Sequence, residues 1–113
     1  MRAIFDEGVP RLLGRSLERH GCVIEPFPNQ WKGLKNGKLL DRLEQFGFDC
    51  LITCDKNLEW QQSLHGRKVA IVVLPYQKLV SLEGLAGQIA AAVKSARRGS
   101  VTHAGQGSAG RTI

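Results

Sequence analysis

The sequence of 113 residues lacks the features of a membrane or secreted protein. No apolar run approaches the roughly 18 residues of a membrane-spanning helix, and the residues after Met1 lack the apolar core of a signal peptide. The three cysteines are an odd number, and the Cys50/Cys54 pair has neither a second pair nor a histidine nearby. We therefore expect a cytoplasmic chain with free thiols, no zinc and no membrane contact.

The patterns of common nucleophilic and nucleotide-binding enzymes are also missing. There is no Ser/His/Asp or Cys/His constellation and no Gly-rich loop that would hold a phosphate. Acidic residues therefore become the main candidates for chemistry. The net charge of +6 permits nucleic-acid binding, but a surface of mixed charge explains it equally well.

Short apolar runs alternate with segments of helical periodicity. The patterns predict strands over 3–5, 22–24, 50–53 and 69–74, and helices over 9–20, 36–46, 58–64 and 81–96. Gly84 and Gly87 weaken the prediction of the last helix. Strands that alternate with helices indicate an α/β domain of three layers, with a mainly parallel, four-stranded sheet flanked by helices.

Residues 97–113 differ in composition from the rest of the chain. They contain four Gly and three Arg, no acid and almost no large apolar side chain. Such a segment buries too little surface to offset its ordering entropy. We predict one domain over residues 1–96 and a flexible, basic, Gly-rich tail over 97–113, which either contacts RNA or a partner or is simply an unstructured end.

Two apolar runs end at carboxylates. The first strand leads into Asp6 and Glu7, and the strand ending at Thr53 leads to Asp55. In a parallel sheet these ends meet at one edge, where sites are usually found. Clustered carboxylates suggest a divalent cation. Alternatively, each Asp caps the helix that follows it; Asp41 is either an additional ligand or a surface residue near a helix N-terminus.

Basic residues near these acids are candidates for substrate binding. Arg11, Arg15 and Arg19 recur every four residues, so they share a helix face that either tracks a phosphate backbone or is merely solvated. A basic loop has one aromatic side chain, Trp31, which either stacks on a base or anchors the loop on the core. The candidate lysines are Lys32, Lys35 and Lys56.

Two motifs carry a family resemblance over about residues 1–95. The opening Phe5-Asp6-Glu7-Gly8-Val9-Pro10, with Leu12-Leu13 after it, resembles the D-E-N-L-P opening of short PIN-like proteins related to the Mut7 C-terminal domain. The later Thr53-Cys54-Asp55-Lys56-Asn57-Leu58 resembles their T-x-D-x-D-F motif. The sequence departs from the family at Gly8, which replaces an Asn, and at Asn36 and Asn57, which replace acids.

The resemblance implies a metal-dependent ribonuclease, most often the toxin of a bacterial toxin–antitoxin pair. It implies Asp6, Glu7 and Asp55 as catalytic residues. The metal, Mg²⁺ or Mn²⁺, would be held by Asp6, Asp55 and Asn36, the last through its amide oxygen or a bound water. Asn36 is also expected to cap the second helix. The implied partners are RNA, a cognate antitoxin and a possible second copy of the chain.

Two other functions stay open at this point. The same fold with fewer acids could be a non-catalytic module that binds RNA or protein. A receiver-like signalling domain also gathers acids at strand ends, but it needs a Lys after a later strand. Lys78 follows the strand over 69–74 but lies beyond Pro75, which makes it a poor match.

Overall fold

The computed structural model describes residues 2–56 and 60–105. Its sheet has five short strands in the order β2-β1-β3-β4-β5, and all neighbouring strands are parallel. The predicted α/β class and parallel sheet are confirmed, but the predicted number of four strands is wrong. The strands are β1 (Ala3–Phe5), β2 (Ile24–Glu25), β3 (Cys50–Thr53), β4 (Ala70–Val73) and β5 (Val101–His103).

Helices cover both faces of the sheet because strand side chains alternate between two apolar clusters. Phe5, Ile52 and Val72 face one cluster, whereas Ile4, Leu51 and Ile71 face the other. Leucines on α1 and α4 and the apolar face of α5 cover the first cluster, and α2 and α3 cover the second. The helices are α1 (Leu13–Arg19), α2 (Asn36–Gln45), α3 (Trp60–Ser63), α4 (Leu79–Glu83) and α5 (Ala86–Ser95).

Several predicted elements differ from the observed ones at their ends. Helix α1 begins at Leu13 rather than at residue 9, and Leu12, which lay inside the predicted helix, precedes it and is 55% exposed. It ends as expected before Gly21, whose φ of 76° is a left-handed conformation that suits glycine. The single helix predicted over 81–96 is two helices, which are separated at Gly84 and Leu85. The predicted helix over 58–64 is observed as α3, although residues 57–59 lie outside the described residues.

The fifth strand comes from the segment that was predicted to be a flexible tail. Val101–His103 pair with Ile71–Val73, the N–H of Ala104 donates to the carbonyl of Val73, and Ala104 is 2% exposed. Backbone pairing with the edge of β4 therefore orders a segment whose own side chains bury little surface. The folded unit extends beyond residue 96 to Gly105, and the remainder of the predicted tail, residues 106–113, lies outside the described residues. Among the described helices, none is long and apolar enough to cross a membrane.

Candidate functional site

The acidic residues lie at the point in the sheet where the chain changes the direction in which it adds strands. The chain passes from β1 outward to β2 and then returns across β1 to β3, so β1 and β3 are neighbours whose connections leave in opposite directions. In doubly wound sheets, ligands bind outside the carboxyl ends of the strands at such a switch point. Asp6 follows β1 and Asp55 lies two residues beyond β3. The prediction that the two acids lie at one edge of the sheet is confirmed.

A hydrogen bond joins Asp6 to Thr53 across this switch point. The register pairs Phe5 with Ile52, so the next residues, Asp6 and Thr53, lie side by side, and the Asp6 N–H donates to the Ile52 carbonyl at 2.8 Å. The Thr53 hydroxyl donates to Asp6 Oδ2 at 2.7 Å. The other oxygen, Oδ1, accepts the Glu7 N–H at 2.8 Å. These bonds orient Asp6 within its own loop, and its side chain makes no cap on α1, which has Leu12 at its N-cap and no side-chain cap bond.

Thr53 also orients the segment that carries Asp55. Its Oγ1 accepts the Asp55 N–H at 3.0 Å, and Thr53 itself is 1% exposed. One buried hydroxyl therefore contacts both acidic segments. Asp6 and Asp55 line a single open pocket of about 440 Å³, which we call the acid pocket; its other lining residues are Gly8, Thr53, Cys54, Lys56 and Gln77.

Glu7 lies beside this pocket and does not line it. Its Oε1 accepts the Gly33 N–H at 3.3 Å. With Asp6 it lines a smaller cleft of about 150 Å³, which we call the narrow cleft and which also includes Arg11, Phe27 and Lys32. The direction of Glu7, which the sequence left open, is thus toward the loop after the 3₁₀ turn at Asn29–Trp31. Glu7 therefore lies in the narrow cleft and not in the pocket that Asp55 lines.

Asn36 and Asp41 do not join the acids. Asn36 is the first residue of α2, Lys35 occupies the N-cap position without a side-chain cap bond, and Asn36 is not among the described residues that line the acid pocket. The predicted capping role of Asn36 is therefore wrong. Asp41 accepts a hydrogen bond of 2.6 Å from Arg67 on the outer face of α2, which places it in a surface ion pair.

The donor set of the acid pocket suits a loosely held cation. In the described ranges, no group of three or more His, Cys, Asp or Glu side chains is arranged to hold a metal ion. Mg²⁺, however, usually keeps several waters and takes only one or two protein carboxylates together with substrate phosphates. Asp6 and Asp55 fit that pattern. Cys54 adds no thiolate, because burial raises the pKa of its thiol and the charge of Asp6 adds to the effect; its Sγ donates to the Tyr76 carbonyl at 3.2 Å.

The three arginines predicted to share a helix face have different surroundings. Arg11 lies before α1 and lines the narrow cleft, whereas Arg15 and Arg19 belong to the helix. Arg11 and Arg15 also line a third depression, of about 600 Å³, and Arg19 does not. Of the three, Arg11 is the one that lines a cleft together with Asp6 and Glu7, a difference that the helical spacing alone did not predict.

Trp31 is a core residue. It is 4% exposed and makes edge-to-face contacts with Phe27, Phe46 and Phe48, whose ring centroids lie 5.4–6.3 Å from its own. The suggestion that Trp31 stacks on a base is wrong, because its faces are covered by protein. The alternative interpretation, an anchor for the loop, is confirmed.

The candidate lysines are all exposed, but only two of them approach the acids. Lys56 lines the acid pocket and donates from Nζ to the Pro75 carbonyl at 3.0 Å. Lys32 lines the narrow cleft, and Lys35 lies at the start of α2. The sequence did not indicate that Gln77 lines the acid pocket or that Thr53 bonds to both acidic segments. The one signal for Thr53 was its position as the last residue of a predicted strand that leads to Asp55.

Comparisons with known proteins add no assignment. No family model matches this chain, and no curated protein or solved structure is significantly similar to it. The resemblance to PIN-like proteins therefore rests on the two short motifs quoted above.

Proposed function

We propose that this chain is a divalent-metal-dependent ribonuclease of the PIN-like type and the toxin of a toxin–antitoxin pair. The observation that carries the proposal is the meeting of Asp6 and Asp55 in one open pocket at the switch point of the sheet. The basic residues around the acids, Arg11, Lys32 and Lys56, would contact phosphates on either side of the bond that is cleaved.

Each residue of the site has a distinct part in the proposed reaction. Asp6 and Asp55 would hold Mg²⁺ or Mn²⁺, which supplies a water of lowered pKa and stabilises charge on the phosphoryl oxygens. Thr53 orients Asp6 by its bond to Oδ2, and because a carboxylate oxygen can accept two bonds, Oδ1 and Oδ2, which each accept one, could still bind a cation. Lys56 lies at the pocket wall, where its ammonium can neutralise a phosphate oxygen.

RNA cleavage by matched variants tests this proposal. Asp55→Asn removes one charge from the pocket and keeps the Asp55 N–H that bonds Thr53. Asp41→Asn is the control, because it removes the same charge from a surface carboxylate paired with Arg67. With Mn²⁺ and a labelled RNA, we expect wild type and Asp41→Asn to cleave and Asp55→Asn to lose at least about 100-fold in rate. EDTA should stop cleavage reversibly.

Two outcomes would contradict the nuclease. Equal cleavage by all three proteins would identify a contaminating nuclease. No cleavage by any of them, with RNA binding that persists in EDTA, would favour the second candidate, a non-catalytic RNA-binding module. The observation that favours this second candidate is the small acid set: Glu7 and Asn36 are not among the described residues that line the acid pocket.

The receiver-like function has lost support. The last strand of the described sheet is β5, and the sequence contains no Lys after Lys94. A receiver-like site would need a lysine beyond that strand. The acids at the strand ends are therefore better explained by a metal and phosphate site than by a phosphoryl acceptor.

The proposed antitoxin would cover the acid pocket. A protein that places an Arg or Lys between Asp6 and Asp55 would replace the charge of the metal and block RNA at once. We expect such a partner to co-purify when the chain is expressed from its native operon. A chain that stays alone and does no harm when expressed without its neighbouring gene would contradict the toxin assignment.

A further inference from the structure

A wide depression lies between α1 and β2, and we call it the α1–β2 groove. Its volume is about 600 Å³. The side chain of Phe5, only 2% exposed, forms part of its floor, while Leu12 and Val23, 55% and 68% exposed, supply apolar walls. Arg11 and Arg15 supply positive charge, Glu18 supplies one negative charge, and the remaining lining residues are Gly14, Ile24 and Pro26.

A cleft with shared lining residues lies between this groove and the acidic site. The narrow cleft shares Asp6 with the acid pocket, and it shares Phe5 and Arg11 with the α1–β2 groove. The three depressions are therefore neighbours, with the acids in the first, Arg11 shared by the second and third, and apolar and basic side chains in the third. A nucleotide chain carries groups that suit these depressions in turn: a phosphate at the acids, a second phosphate at Arg11 and a flat base against the apolar side chains.

We propose that the α1–β2 groove binds the base and flanking phosphate of a nucleotide that lies one or two positions from the bond cleaved at the acid pocket. The groove offers apolar surface for the face of a base, and Arg11 and Arg15 for phosphate or for stacking. Its volume is of the size that small-molecule sites have. The inference rests on the proposed ribonuclease function and deepens it by locating a substrate subsite.

A peptide strand fits the same groove less well. Strand β2 is at the edge of the sheet, but only Ile24 and Glu25 pair in it, and Pro26 follows immediately. Proline offers no N–H to an added strand, and a charged residue on a short edge opposes pairing. Glu25 is also engaged by the guanidinium of Arg2 at 3.0 Å. The exposed edge of β2 is therefore a poor partner for an added peptide strand. The apolar side chains and the arginines remain as the groups of the groove that can contact a ligand.

Binding of short oligonucleotides in EDTA tests the proposal without requiring cleavage. The probe is a fluorescent 2′-deoxy tetranucleotide, compared with a series in which each base in turn is replaced by an abasic unit. We expect one abasic position to weaken binding by about 10-fold, in line with the loss of one stacked base. Equal affinity for all members of the series would overturn the proposal.

Two matched pairs of variants locate the subsite. Arg15→Gln and Arg19→Gln remove the same charge from the same helix, but only Arg15 lines the groove. We expect Arg15→Gln to weaken binding by about 10-fold and to lower the salt slope by about 0.7, with little change for Arg19→Gln. At exposed Val23, Val23→Glu should weaken binding and Val23→Lys should strengthen it. Equal effects within each pair would contradict the subsite.

The results separate this inference from the nuclease itself. Base-dependent binding without cleavage would uphold the groove and contradict the nuclease. Cleavage that is unaffected by Arg15→Gln and Val23→Glu would uphold the nuclease and overturn the groove. A dimer in light scattering that Val23→Glu converts to a monomer would assign the groove to a second copy of the chain and would also overturn the proposal.

Discussion

The hydroxyl of Thr53 donates a 2.7 Å hydrogen bond to Oδ2 of Asp6, between the carboxyl ends of the neighbouring strands β1 and β3. The hydroxyl oxygen of Thr53, Oγ1, also accepts the N–H of Asp55 at 3.0 Å. Thr53 is thus the shared partner of the two segments that bear the acids. Because Asp6 also accepts a bond on Oδ1, both of its oxygens are used. An Asn at position 6 could accept only one of these bonds, so Asp6→Asn would change hydrogen bonding as well as charge.

Removal of this hydroxyl should affect both stability and metal binding. Thr53→Val keeps the buried shape but leaves Asp6 and the Asp55 N–H without their shared partner. We expect its free energy of unfolding in urea to fall by about 1–3 kcal/mol. Thr53→Ser keeps the hydroxyl and loses one methyl group, which costs about 1 kcal/mol.

Mn²⁺ should raise the urea midpoint of unfolding of a chain that binds it. This rise distinguishes a role of the Thr53 hydroxyl in positioning Asp6 from a role in packing alone. It should persist in Thr53→Ser and shrink in Thr53→Val. A similar rise in both variants would show that the hydroxyl does not position Asp6 for a cation.

Asp49 should make stability depend on pH. The N–H of Arg2 donates to Asp49 Oδ2 at 2.8 Å and Arg98 donates to Oδ1 at 3.1 Å. The Arg2 N–H is the main cause that lowers the pKa of Asp49 below its ordinary value of 3.8, and Arg98 adds to it. Because the pKa is lower in the folded state, the carboxylate stabilises the fold above about pH 4, and this contribution is lost as the pH falls through the lowered pKa.

The matched variants for this effect are Asp49→Asn and Asp41→Asn. At pH 7 in urea, Asp49→Asn should lose about 1 kcal/mol of the free energy of unfolding, and the deficit should shrink toward pH 3. Asp41 lies in an ion pair in which its own side chain is 66% exposed, so its replacement should cost less than about 1 kcal/mol. A deficit for Asp49→Asn that is constant from pH 7 to pH 3 would contradict the assignment.

The fifth strand should be protected in the intact chain. The Ala104 N–H donates to the Val73 carbonyl and the Ile71 N–H donates to the Ser100 carbonyl, both at 2.9 Å. We expect both amides to exchange with deuterium far more slowly than in an unstructured peptide. Removal of residues 97–113 should cost several kcal/mol, at about 1 kcal/mol for each backbone bond that is lost. Exchange of Ala104 at the rate of a free peptide would instead support the flexible tail.

The sequence predicted best where one apolar run determines an element. Strand β3 is observed with the predicted bounds, Cys50–Thr53, because four consecutive side chains are fully covered. The placement of Asp6 and Asp55 at one edge followed from this strand and from the parallel topology. Strand β5 was missed because hydrogen bonds to β4 hold it, while its side chains bury little: Val101 is only partly buried against the second apolar cluster and His103 is exposed.

Side-chain partners that lie far apart in sequence could not be predicted. The burial of Trp31 depends on Phe46 and Phe48, which approach it only after α2 has packed on the sheet. The engagement of Glu7 by the Gly33 N–H and the pairing of Asp41 with Arg67 likewise depend on tertiary contacts. Helical spacing placed Arg11, Arg15 and Arg19 together, but the early start expected for α1 hid the separate position of Arg11.

Nuclear magnetic resonance with Mn²⁺ tests the central claim, that the pocket at the switch point binds a divalent cation. Mn²⁺ broadens the amide signals of residues close to it, so a substoichiometric amount added to the ¹⁵N-labelled chain maps the site directly. We predict that Gly8, Cys54, Lys56 and Gln77, which line the acid pocket, broaden first, while Asp41 and Glu44 on α2 stay sharp. The selective broadening should be lost in Asp55→Asn and retained in Asp41→Asn. Broadening of the amide signals near all exposed carboxylates would contradict the claim. The same pattern of broadening in Asp55→Asn as in the wild type would also contradict it.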